Sequence, residues 1–92
     1  MELNIQQFNL IVADAKRKAP HILSHIEAAA QMLLENPFIW EVPGGLEIMS
    51  ETTGKTYFAG IACQCEAYNY GKPCRHRVAA RLVRRYNEQR GH

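Results

Sequence analysis

Residues 63–76 read Cys63-Gln64-Cys65-Glu66-Ala67-Tyr68-Asn69-Tyr70-Gly71-Lys72-Pro73-Cys74-Arg75-His76. Four metal-donor side chains fall here in two pairs, with one residue inside each pair and eight between them. One intervening residue puts Cys63 and Cys65 on the same face of an extended chain. Cys74 and His76 follow Pro73 where a helical period begins, so the second pair belongs to a helix start. Two donors from a strand end and two from a helix start suit a tetrahedral zinc ion. Four protein ligands leave no open position for water, so the single ion expected here is structural rather than catalytic. Three thiolates on Zn²⁺ leave a charge of −1. The helix N-terminus offers unsatisfied N–H groups and a positive dipole end to it. Lys72, Arg75 and Arg77 lie next to it in sequence.

Downstream of the donors, Val78, Ala79, Leu82, Val83 and Tyr86 recur with helical period. Upstream, Thr56-Tyr57-Phe58-Ala59 reads as a strand running on to Cys63, and Thr53-Gly54 as the turn before it. Leu46 and Ile48 alternate on the preceding strand, and Pro43-Gly44-Gly45 turns the chain before that. Phe38, Trp40 and Val42 alternate in their turn, which places Trp40 among buried residues. The expectation is a three-stranded antiparallel meander. The first third reads as helix. Ile5, Phe8, Val12, Ala15 and Ala19 share one face with Ile11 beside them, Asn4 caps the start, and Leu10 lies off the stripe. Pro20 lacks the N–H that would bond Lys16, so it either divides two helices or kinks one. Ile22, Ile26, Ala29, Ala30 and Leu33 form the next buried face, which stops at Asn36-Pro37. The class is α+β: an N-terminal helical segment over 1–36 and a zinc-binding module over 37–92, together one compact unit.

Composition agrees with this reading. Of 92 residues, 47% are apolar and 22% charged, which is globular rather than disordered. No run approaches a membrane span, and Met1-Glu2-Leu3-Asn4 lacks the basic start of a signal peptide, so a soluble cytoplasmic protein is expected. Three cysteines cannot all pair within one chain, which favours metal over disulfides. Residues 1–62 carry four basic and seven acidic side chains, a balance of −3. Residues 63–92 carry seven and two, a balance of +5. That polarity points to an anionic partner for the C-terminal part.

The pattern Cys63-x-Cys65-x8-Cys74-x-His76 resembles the SWIM zinc finger, two Cys one apart followed by Cys-x-His. Gly54-Lys55-Thr56-Tyr57 is similar to that family's glycine and aromatic strand before the first Cys. Tyr68 stands at its aromatic position, Arg75 at the basic one between Cys and His, and Val78-Ala79-Ala80 continues as its apolar helix does. Glu66-Ala67 departs from the Pro-Asp common there, which bears on the loop and not on ligation. The resemblance covers about residues 38–90 and implies binding to DNA or to proteins. It also implies the company of transposase, helicase-like or recombination-mediator parts.

Two functions follow as expectations. The first is nucleic-acid binding, DNA preferred over RNA, through Lys72, Arg75, Arg77, Arg81, Arg84 and Arg85, with Tyr70 as a base-stacking candidate. Arg77, Arg81, Arg84 and Arg85 lie opposite the apolar face of their helix, which is equally the ordinary solvated side of an amphipathic helix. The second is an adaptor whose N-terminal helices dock on a DNA-processing or recombination protein. No small-molecule substrate and no enzymatic activity are expected. His25-Ile26-Glu27 and Pro73-Cys74 begin the two halves of a zinc-deaminase signature, but Arg77 stands where its last Cys is required. His21 and His25 point away from their helix's apolar stripe and read as solvated.

Overall fold

The computed structural model describes residues 3–50, 53–60 and 74–90. Helix α1 spans Ile5–Lys18, a 3₁₀ turn Pro20–Ile22, and helix α2 Leu23–Glu35. Strands β1 (Ile39–Val42), β2 (Gly45–Met49) and β3 (Thr56–Ala59) follow, and helix α3 is Arg75–Arg90. The sheet is antiparallel in the order β1-β2-β3, the meander expected. Among the described residues, no helix is long and apolar enough to cross a membrane.

Local chemistry explains the boundaries. Asn4 Oδ1 accepts from the Gln7 N–H at 3.1 Å, capping α1. Pro20 sits in the first turn of the 3₁₀ segment and Ala19 leaves the helical region at φ −133°, so the chain forms two helices rather than one kinked helix. Asn36 ends α2 and ties it to the sheet. Its Nδ2 donates to the Met49 carbonyl at 3.0 Å, and its Oδ1 accepts from the Phe38 N–H at 2.8 Å. Between β1 and β2 a two-residue loop, Pro43-Gly44, closes the Val42–Gly45 pair, with Gly44 at φ +85°.

The buried side chains form one cluster drawn from every helix and strand. Helix α3 is its hub and packs on α2, α1, β2 and β3. Val78, Ala79, Leu82, Val83 and Tyr86 are all buried, as their period foretold. The N-terminal helices contribute Phe8, Ile11, Val12, Ile26, Ala29 and Leu33 to the same core, and the Asn4 N–H donates to the Tyr86 hydroxyl at 2.8 Å.

Three expectations fail. Trp40 is 47% exposed and Phe38 40%, whereas Ile39 between them is 2% exposed. The turn explains it, because pairing Val42 with Gly45 sets Ile39 opposite inward-facing Ile48 and sends Phe38 and Trp40 to the other face. Ile5 is also exposed, and at that end of α1 it is Leu3 that packs against the core. Ala15, Ala19, Ile22 and Ala30 reach only the margin of the core.

Candidate metal centre and nucleic-acid interface

Cys74 occupies the capping position of α3: its carbonyl accepts from the Val78 N–H at 3.2 Å. A thiolate here therefore lies at the positive end of the helix dipole. Its side chain is buried, and its Sγ stands 3.6 Å from His76 Nδ1. That separation is a test of fit. With Zn–S near 2.3 Å and Zn–N near 2.0–2.1 Å, sulfur and nitrogen at a tetrahedral angle lie about 3.5 Å apart. The spacing of the described pair is compatible with a shared zinc ion and is equally that of a thiol–imidazole hydrogen bond.

Tyr57 on β3 stacks on the His76 ring, centroids 5.6 Å apart and planes 22° off parallel. The stack fixes the imidazole's orientation, and burial, then the nearby Arg75 charge, holds His76 below its ordinary pKa. Both effects favour the neutral imidazole that a metal needs. Tyr57 was not among the residues assigned to the site from sequence. The available signal was its aromatic position in the strand leading to the first Cys. Cys63 and Cys65, the other half of the expected ligand set, lie outside the described residues, as do Lys72 and Tyr70.

The arginines divide. Arg77, Arg81 and Arg84 line one side of a cleft of about 730 Å³ between α3 and the β1–β2 hairpin. Its lining also includes the carboxylates of Glu41 and Glu88, the glycines Gly44, Gly45 and Gly60, and the apolar side chains of Val42, Leu46 and Val83. Arg84 Nε also donates to Glu88 at 3.1 Å. Arg85 does not join them. It is half-buried and turns toward α1, where its guanidinium lies 3.5 Å from Asp14. Arg75 lies on a separate cleft beside His76, Tyr57 and α2. Of the four arginines assigned to one solvent face, three line this cleft, and of these Arg81 and Arg84 are exposed whereas Arg77 is half-buried. The fourth is drawn off because its position flanks the face packed on α1. His21 is exposed and His25 half-buried.

Residues 57–83 match the family model of the SWIM zinc finger. This segment begins at the tyrosine stacked on His76 and ends within α3. Over these residues the chain is similar to a zinc finger, which supports a zinc-binding module there. No curated protein and no solved structure matches it.

Proposed function

We propose that this chain is a non-enzymatic nucleic-acid-binding module built on one structural zinc ion held by Cys63, Cys65, Cys74 and His76. Arg77, Arg81 and Arg84 together on one cleft carry the reading. The helix that bears them starts at the metal ligands, so the ion sets the position of the basic edge. Guanidinium groups suit forked contacts to phosphate, and glycine walls let a sugar–phosphate backbone approach closely. The Arg84–Glu88 pair is exposed on both sides, so it gives way to phosphate at little cost. The preference for DNA over RNA rests on the resemblance to the SWIM family.

The test is a salt titration with labelled single- and double-stranded DNA and RNA. Arg81→Ala with Arg84→Ala should flatten the dependence of log K on log salt by roughly 1.4–1.8 if both contact phosphate. All sequences should weaken alike, because phosphate contacts do not read bases. Zinc content should stay unchanged. Absence of binding to every probe at low salt would remove this reading. The adaptor reading would then replace it, supported by Leu10 and Ile5 on α1, which are 71% and 53% exposed.

A further inference from the structure

The alternation that turns Ile39, Leu46, Ile48 and Ala59 into the core sends Phe38, Trp40, Glu47 and Phe58 to the opposite face of the sheet. Trp40 is paired with Glu47, and Glu47 with Phe58, so the three form one row across the strands. Phe38 adjoins the row, its ring centroid 6.5 Å from that of Trp40. Phe38, Trp40 and Phe58 expose 40, 47 and 37% of their surfaces, and Glu47 is exposed among them. A sheet face that met only water would alternate to polar residues here. This one presents three aromatic rings around a carboxylate.

We propose that this face docks a short arginine- or lysine-bearing segment of another protein, its cation held at Glu47 beside Trp40. Trp40 is paired with Glu47 on the neighbouring strand, about 4.8 Å away, so its ring can add cation–π attraction to a cation held at the carboxylate. The carboxylate beneath supplies the opposite charge. Among the described outward-facing strand residues Glu47 is the one charged group, so phosphate is repelled where aromatic stacking would otherwise admit a base. The outward face spans roughly 10 by 14 Å between outermost Cα atoms, against about 800 Å² per partner in a stable globular interface. A segment fits this area; a second copy of the chain needs far more. The surface is separate from the α3 cleft, so it stands or falls independently of nucleic-acid binding.

Trp40 is the chain's only tryptophan, which makes its fluorescence a direct reporter of this face. The zinc-loaded chain is titrated with the blocked peptide Gly-Ser-Arg-Leu-Arg-Ser-Gly, with its counterpart carrying Glu for Arg, and with a short oligothymidylate. The arginine peptide should change Trp40 emission saturably, and the glutamate peptide should not. Glu47→Gln should weaken the arginine peptide on the order of fivefold, and Glu47→Lys should transfer preference to the glutamate peptide. Trp40→Ala, followed by backbone amide shifts in β1–β3, should lose the response. Both positions are exposed, so neither variant should disturb folding. Three outcomes overturn the proposal. One is a Trp40 response to oligothymidylate in place of the arginine peptide. Another is an emission change that follows protein concentration alone, which marks self-association. The third is no saturable response to the arginine peptide.

Discussion

Replacing Gly45 by Ala tests the packing that carries β3 toward the metal centre. A Cβ at this position would lie 2.1 Å from the Ala59 carbonyl oxygen and 3.0 Å from its carbon, both backbone atoms of β3. Ordinary contact begins near 3.4 Å, so the strands must part by about 1.3 Å. Backbone cannot swing aside as a side-chain tip can. Parting the strands here stretches the Leu46–Ala59 pairing. Two backbone hydrogen bonds at about 1 kcal/mol each, with the overpacking strain, put the loss at roughly 2–3 kcal/mol. For a chain of this size that lowers Tm by about 10–20 °C. Gly54→Ala is the matched control, for nothing lies within 4 Å of its Cβ and only its φ of +73° opposes the change. Left-handed strain of about 1 kcal/mol predicts a fall of about 4–8 °C. Thermal melts followed by circular dichroism, with zinc in excess, distinguish the two. If Gly45→Ala melts within 2–3 °C of the parent, or below it by no more than Gly54→Ala does, the close approach of β2 and β3 is not what the geometry says.

Purified under reducing conditions without chelator, the protein should hold one zinc per chain. Cys74→Ser should lower that content sharply; metal analysis decides it, and zinc-free wild type would refute the ligand assignment. Chelation should lower Tm yet leave a cooperative helical transition, because α3 is held by five buried side chains, Val78, Ala79, Leu82, Val83 and Tyr86, as well as by the metal. Loss of all helical signal would show that the core cannot form without the ion. Acidification should destabilise the metal-free protein. Burial and Arg75 hold folded His76 below its ordinary 6.5, so the unfolded chain binds the extra proton. This contribution is present above pH 6.5 and is lost as pH falls through the folded value. Denaturant midpoints from pH 8 downward measure it, and no dependence in His76→Gln relative to wild type is the matching result.

Much of the molecule was legible from local chemistry. Asn4 as a cap, Pro20 as a divider, Asn36-Pro37 as a stop and the apolar period of α3 each follow from one or two residues acting on their own backbone. The donor set was read from spacing within a strand end and a helix start; of its four members only Cys74 and His76 fall among the described residues, 3.6 Å apart. The face of β1 was not legible. Phe38-Ile39-Trp40 is apolar throughout, so its own period admits either register. The choice belongs to Pro43-Gly44, which pairs Val42 with Gly45, and to Ile48, which must face the core opposite Ile39. The division of the arginines was equally beyond local reading. Arg85 shares a helix face with Arg81 in sequence, but Asp14 on α1 draws it away, and only packing brings those helices together. Periodicity and capping act within a turn or a strand and are written in the sequence itself. Which face of β1 is wet, and which arginines share a cleft, depend on contacts between elements far apart in the chain, and these exist only once the core has closed.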